Sequence, residues 1–307
     1  MVGDTRTARK QTRLGCVYRP QFAPEKLIDA ARAADQAGLD ELWLWEDCFL
    51  SGGISSAATA LAATPRLIVG VGVLPAPLRN VAATAMEIAT LHRTFPGRVR
   101  FGVGHGVQDW MGQIGARVSS PMTLLREYVT CLKALLAGRT VTYKGTYVSL
   151  TNVALEWAPP GSCELLLAAG GHKTLRLSGE LADGTVLTSG TSASNVRAAI
   201  KHVNDGRRRA GRDPQEHAIV TYIPCAMGPS AEHDIARELT LWGFPASPDL
   251  HASGDAETIA HSLDQWVEAG SDTVVLQSPP DVALEDFLGY AGTYVKPRIG
   301  TNPRSTT

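Results

Sequence analysis

Short apolar runs of strand length recur along the chain. Each is followed by an Ala-rich stretch whose apolar residues return every three or four positions. That alternation of periods predicts repeated strand–helix units. The first unit pairs a strand at Leu14–Tyr18 with a helix from Pro24 to about Ala37, which has Pro and Glu in its first turn and stops before Gly38. Further strands are predicted at Glu41–Trp45, Arg66–Leu74 and Arg98–Gly104, with a helix over Asn80–Arg93 and another over the MTLLREYVTCLKALLAG stretch. Val141–Leu150 alternates around Lys144-Gly145 and reads as a surface hairpin, an insertion rather than a core strand. The series resumes at Glu164–Gly170, Gly184–Gly190 and His217–Pro224, with a polar helix through Arg209 and helices near Glu232–Leu241 and Ala256–Ala269. Asp272–Ser278 closes it at eight strands. The pattern predicts an α/β fold, a single (β/α)8 TIM barrel with insertions over residues 13–297, between polar mobile tails at 1–12 and 298–307. A doubly wound open sheet is the alternative.

Composition narrows the function classes. With 307 residues, 44% of them hydrophobic, and a formal net charge of -1, the chain can bury a large core but offers no basic footprint for nucleic acid or anionic lipid. No apolar run approaches the roughly 20 residues that span a bilayer, and Arg6, Arg9, Lys10 and Arg13 are not followed by an apolar secretory segment. The five cysteines are dispersed, odd in number and without CxxC spacing. They argue against a disulfide framework and a structural zinc site, and for a reducing, cytoplasmic setting. No HExxH, nucleophile elbow, P-loop or metal-ligand cluster occurs, so no metal is expected and hydrolase or kinase chemistry loses support. A small molecule is the partner that remains.

On a barrel the active site lies at the C-terminal ends of the strands. Here those ends are Tyr18–Pro20, Glu46–Cys48, Gly72–Pro77, Gly104–Gln108, Ala168–Gly171, Thr188–Gly190, Pro224 and Gln277–Pro280, a set rich in glycine and small polar residues and poor in catalytic pairs. Gly170-Gly171 and Thr188-Ser189-Gly190 each precede a helix start, so they are phosphate-binding turns or simply tight turns and caps. GVGHG at Gly102–Gly106 begins but does not complete a dinucleotide fingerprint. His105 is either an acid/base group or a loop histidine with a local hydrogen bond, and its type alone favours the second. Glu46 and Asp47 are neighbours, and adjacent residues on an extended chain point apart, so at most one is expected to face the barrel mouth. Cys48 beside two carboxylates is a poor nucleophile. Trp43 and Trp45 suit a core and Trp110 is the better stacking candidate, in a Gly-rich stretch from Gly104 to Pro121 too long for a minimal loop.

The ordered blocks GVGVLPAPLRN, LHRTFPGRVRFGVGHG, LLREYVTCLKALLAG, VTYKGTYVSL and LLLAAGGHKTLRLSGELADGTVLTSG resemble the luciferase-like monooxygenase superfamily, and within it the branch that uses the deazaflavin coenzyme F420. The likeness runs over roughly residues 14–290 and is carried by Gly70–Gly190. It implies a (β/α)8 barrel with the coenzyme across the strand ends, and a non-proline cis peptide at Gly72-Val73 behind the ring. By the same likeness Asp47 contacts the ring, Gly104, Gly106 and Gln108 line its edge, and Ala169, Gly170, Gly171, Thr188, Ser189 and Gly190 surround the ribityl chain and phosphate. Arg79 and Asn80 look structural, and a homodimer is implied. The family's sugar-phosphate dehydrogenases carry a histidine and a glutamate where this chain has Cys48 and Val107, and its methylene-tetrahydromethanopterin reductases carry a glutamate where it has Val17. Neither of those two activities is therefore expected. The expectation is hydride transfer between F420 and a small organic substrate, in the direction that reduces an activated C=C or C=N bond. His105 or Glu46 would donate the proton, with Trp45, Phe49, Trp110 and Met111 as an apolar pocket. The alternatives are an FMN-dependent monooxygenase and a non-catalytic flavin-binding protein.

Overall fold

Eight parallel strands close on themselves in the computed structural model, which describes residues 12–213 and 216–300. In chain order the elements are β1 (Arg13–Tyr18), α1 (Leu27–Gln36), β2 (Glu41–Leu44), α2 (Gly53–Ala63), β3 (Ile68–Pro75), α3 (Val81–Thr94), β4 (Val99–Gly104), α4 (Gln108–Gln113) and α5 (Pro121–Leu136). There follow β5 (Val141–Lys144), β6 (Ser149–Val153), β7 (Leu165–Ala168), α6 (His172–Leu181), β8 (Gly184–Leu187) and α7 (Ala193–Arg209). The chain continues through β9 (Ala218–Met227), α8 (Ala231–Leu241), β10 (Ala252–Gly254), α9 (Ala256–Ala269), β11 (Thr273–Gln277) and α10 (Leu284–Tyr290). The barrel order is β9-β11-β1-β2-β3-β4-β7-β8, and β8 pairs back onto β9. This is the closed barrel expected, not the open sheet.

Strand alternation divides the interior cleanly. Leu14, Cys16, Leu42, Leu44, Leu165, Leu167, Val274 and Leu276 face outward into the main core beneath the helices. The residues between them, Val17, Trp43, Leu166 and Val275, join Val186, Val220 and Tyr222 in a second cluster inside the barrel. The two-residue period of a strand requires this division, and burial on both sides explains why the runs read as continuously apolar. The floor of the barrel interior is ionic. Arg100 donates to both oxygens of Glu41 at 2.9 and 3.1 Å, to Glu164 at 2.7 Å and to Thr273 at 3.1 Å, while the Trp43 indole donates to Glu41 at 2.7 Å. Each charge in this plug is paired, as buried charges must be.

The structure adds elements to those predicted. A helix, α2, follows the second strand, the Gly-rich stretch after β4 contains the short α4, and β10 runs parallel beside β9 outside the barrel. The hairpin β5-β6 is antiparallel, and the Glu127 carboxylate on α5 accepts from the backbone N–H groups of Thr146, Tyr147 and Val148, tying the insertion to the barrel. Beyond α10 the chain forms a π-helical turn over Ala291–Val295 and a 3-10 turn over Lys296–Arg298, so the C-terminal tail predicted from Arg298 overlaps ordered structure at its start. Its remainder from residue 301, and residues 1–11 of the N-terminal tail, lie outside the described residues.

Candidate active site

The strand C-termini surround a cavity of about 520 Å³. Its floor is built by steric clearance. β3 and β4 slip register between Val71 and Leu74, the Gly72–Val73 peptide is cis, and the Val73 side chain lies across β4. Gly102 and Gly104 make room for it, since a Cβ at either would stand 2.5 or 2.8 Å from a Val73 methyl. The glycines of this GVG segment therefore serve packing, which accounts for a fingerprint that never completes. From the other side the Tyr222 phenol donates to the Gly72 carbonyl at 3.3 Å, and Trp43 fills the space above Gly70 and Gly72. A second non-proline cis peptide joins Cys48 to Phe49.

Besides Tyr222, three titratable residues border the cavity, Glu46 and Asp47 after β2 and His105 after β4. Glu46 is buried; its Oε1 accepts from the Gly53 N–H at 2.9 Å and forms a close pair with the Arg79 guanidinium, while Oε2 is buried without a partner. His105 meets the Thr174 hydroxyl through Nε2 at 3.2 Å, and its Nδ1 is buried without a hydrogen bond. Burial depresses its pKa, opposed by the carbonyl of Pro121, so the ring is neutral near pH 7. Asp47 is different. It is half-buried and makes no side-chain hydrogen bond among the described residues, and burial pushes its pKa up against the opposing charge of Arg19. The Cys48 thiol is also raised, by burial first and then by Glu46 and Asp47, which confirms it as a poor nucleophile.

The opposite wall is an aromatic and polar assembly that the sequence did not announce. The Glu238 carboxylate on α8, fully buried, accepts through Oε1 from Arg19 at 2.9 Å, Trp242 at 2.7 Å and Gln277 at 2.6 Å. Gln277 in turn accepts from the Ser189 hydroxyl, which stands at the cavity edge. Trp242 meets Trp45 edge-on at 6.2 Å, and Trp45 lies 5.8 Å from Tyr222. With Phe244, Pro75, Val107 and Trp110 these rings make the cavity walls predominantly apolar. Among the described residues lining the cavity there is no Lys or Arg. Nor is any group of three or more His, Cys, Asp or Glu placed among them to hold a metal.

A family model described as luciferase-like monooxygenase matches residues 6–294. The chain belongs to the luciferase-like monooxygenase family. An F420-dependent glucose-6-phosphate dehydrogenase from Beutenbergia cavernae is 34% identical, over 88% of this chain and 85% of that protein. A 5,10-methylenetetrahydromethanopterin reductase from Methanolobus tindarius is 30% identical over 77% of this chain and 72% of its own length. Among solved structures, an F420-dependent secondary alcohol dehydrogenase in complex with an F420-acetone adduct superposes with a TM-score of 0.83 at 21% identity, covering 94% of this chain and 99% of that one. The fold is common to all of them.

Within this family barrel, most residues singled out from the sequence converge. Glu46, Asp47, Gly72, Val73, Gly104, His105, Gly106, Ala169, Gly170, Thr188 and Ser189 border the one cavity. Three others do not. Gln108 donates to the carbonyls of His105 and Gly106, bracing its own loop; Gly171 is the N-cap of α6; and Gly190, with φ 85°, sits in a turn under Phe244. Glu46 and Asp47 both reach the cavity edge, contrary to the alternation argument, because β2 ends at Leu44 and the chain is no longer extended there. In the expected apolar pocket, Trp45 and Trp110 take part, whereas Met111 is fully buried beneath Gly106 and Phe49 is exposed outside the lining. Asp109 faces away and pairs with Arg117. Asn80 caps α3 and Arg79 pairs with Glu46 and Glu87, both structural as expected. Tyr222, Trp242 and Phe244 were missed, and Gln277 was placed at a strand end but given no role. The inward phase of β9 and β11, read two residues at a time from Val220 and Val275, identifies Tyr222 and Gln277 once the barrel is assumed; nothing comparable marks Trp242 or Phe244.

Proposed function

We propose that this protein is an F420-dependent oxidoreductase that transfers a hydride between the deazaflavin and a small, uncharged organic substrate, reducing an activated C=C or C=N bond. The observation that carries the reading is the cavity floor. Backbone at Gly72–Val73, kept clear by Tyr222 below and by the β4 glycines beside it, offers a flat apolar bed for a planar ring system. The coenzyme supplies a ring carbon that accepts or releases hydride, and the protein's part is position and polarity. The residues present fit that group. Asp47, after β2, and Ala169, Gly170, Thr188 and Ser189, after β7 and β8, border the same cavity. After β7, α6 begins at Gly171 with no side-chain cap, so its first-turn N–H groups are open to a phosphate. Ser189 is oriented by Gln277, which fixes a hydroxyl at the cavity edge.

The relatives named as F420-dependent support the coenzyme, and the chain's own walls favour substrates unlike theirs. Beyond the helix N-terminus assigned to the coenzyme's phosphate, the lining residues offer no Lys or Arg for the second phosphate of a phosphorylated sugar. Aromatic walls exclude water from the reacting atoms and favour an apolar acceptor. All five cysteines are free thiols, in keeping with a reducing cytoplasm.

Titration of the purified protein with F420 and, separately, FMN in identical buffer tests the reading. Micromolar or tighter binding of F420 with much weaker FMN binding is the expected result. FMN binding without F420 binding would replace the reading by a flavin monooxygenase, and binding of neither would leave a non-catalytic barrel.

A further inference from the structure

Reduction of a polarised double bond needs a proton as well as a hydride. We infer that Asp47 is the catalytic proton donor of this site, and that Glu46 and His105 are positioning residues. This rests on the oxidoreductase reading above.

The inference comes from where each candidate's proton-bearing atoms stand. Both Glu46 oxygens are withdrawn from the cavity: one is held by Gly53 and Arg79, the other is closed off from solvent. A carboxylate whose oxygens are held in this way cannot reach an acceptor atom in the cavity. In His105 both ring nitrogens are withdrawn, with Nε2 on Thr174 and Nδ1 buried in the protein. The Tyr222 hydroxyl proton is engaged by the Gly72 carbonyl, and burial raises its pKa far above neutrality. Ser189 gives its proton to Gln277. Asp47 remains, at the cavity edge, without a hydrogen-bond partner among the described residues.

The charged and titratable groups around it come from several elements. Arg19, after β1, is the cation that acts on it, but that guanidinium is bound to Glu238 and to the Ser278 carbonyl. Glu46 and Cys48 flank it in sequence, and Tyr222 projects from β9 toward the same end of the cavity. Burial outweighs Arg19, so the neutral acid persists to a higher pH than for an ordinary aspartate.

In the reductive direction, hydride from the reduced coenzyme forms a C–H bond at one end of the double bond. The displaced electron pair moves to the other end, where the Asp47 O–H bond breaks and its proton is taken up. The substrate thus gains a hydride, which is two electrons and one proton, and one further proton from Asp47; the reduced coenzyme would be the two-electron donor, and the Asp47 carboxylate regains its proton from solvent.

The test compares wild type, Asp47→Asn and Asp47→Glu as full chains. In the first arm, F420 affinity is measured by fluorescence titration. In the second, infrared spectra of the F420-bound proteins are followed from pH 3 to pH 8 for a carboxylic acid C=O band lost in the Asn variant. In the third, reduction of 2-cyclohexen-1-one and of a cyclic imine by reduced F420 is followed over the same pH range. Expected are F420 binding retained in all three proteins and a band that persists above the usual aspartate range. Turnover should fall about 100-fold or more in Asp47→Asn. Its decline with rising pH should disappear in that variant and return, shifted, in Asp47→Glu. If the wild type fails to bind F420, the oxidoreductase reading fails. If it binds F420 but Asp47 titrates as an ordinary exposed aspartate, or the Asn variant keeps the wild-type rate and pH midpoint, Asp47 is not the donor. The infrared arm decides this even if neither acceptor is reduced.

Discussion

The Tyr222 hydroxyl and the Gly72 carbonyl are joined by a hydrogen bond of 3.3 Å, and a Cβ added at Gly72 would lie only 2.0 Å from that same hydroxyl oxygen. The two residues are 150 positions apart in sequence and define one surface, the floor of the cavity. Gly72→Ala should therefore overpack the floor and destabilise the fold by about 1–3 kcal/mol, measured by urea unfolding. It should also weaken F420 binding. Adding Tyr222→Phe removes the clashing oxygen and should recover part of the loss. An alanine variant as stable as its parent would show that the floor yields more readily than its geometry implies.

A second prediction concerns Glu46, which holds the start of α2 through the Gly53 N–H and neutralises Arg79. Glu46→Gln removes the charge but keeps the shape, leaving a mostly buried guanidinium short of its partner. A loss of about 1–3 kcal/mol is expected. The pH midpoint of turnover should not move, because Oε1 is held by Gly53 and Arg79 and Oε2 is buried in the protein. A shifted midpoint with unchanged stability would reverse the roles assigned to Glu46 and Asp47.

His217 makes the protein sensitive to acid. Its Nε2 meets the Thr185 hydroxyl at 2.8 Å, Arg207 donates to its Nδ1 at 3.3 Å, and burial together with Arg207 and Arg212 lowers its pKa from 6.5 to about 3. The folded state thus favours the neutral ring. Its contribution is fully present above the unfolded value of 6.5 and is lost as pH falls toward 3. The ceiling is on the order of 5 kcal/mol, at 1.36 kcal/mol per unit. Unfolding free energies between pH 7 and pH 4 should fall for the parent and flatten for His217→Gln; a parent curve flat over that range would contradict the assignment.

The strands were legible because each is buried on both faces and so reads as a continuous apolar run, as in Leu165–Leu167 and Val274–Leu276. The helix α2 was not, since its Gly, Ser and Ala residues supply little amphipathic contrast, and three-residue β10 is shorter than any periodicity can report. Site residues followed the same rule. Those at strand ends, such as Asp47 and Ser189, were found because topology alone brings strand ends together. The wall formed by Trp242 and Phe244 depends on how the segment after α8 folds back over the barrel, a tertiary fact with no local signature. The difference between Glu46 and Asp47 was hidden for a related reason. Residue type makes both carboxylates candidates, and only the position of Arg79 distinguishes the paired one from the open one.

Glu238 is the residue on which that wall depends. One oxygen receives donors from Arg19, Trp242 and Gln277, which come from three separate parts of the chain, and both charges are almost wholly withdrawn from solvent. Removing one partner of such a pair leaves the other buried and uncompensated. Glu238→Ala should cost about 3–5 kcal/mol in urea unfolding. Glu238→Gln, which retains an acceptor at the same place, should lose less. The functional effect should differ from that of Asp47→Asn. With Gln277 released, Ser189 is no longer oriented at the proposed phosphate end, so F420 affinity should fall while the pH midpoint of turnover stays with Asp47. A Glu238→Gln variant that binds F420 as tightly as the parent would show that the wall stabilises the barrel without shaping the coenzyme's bed.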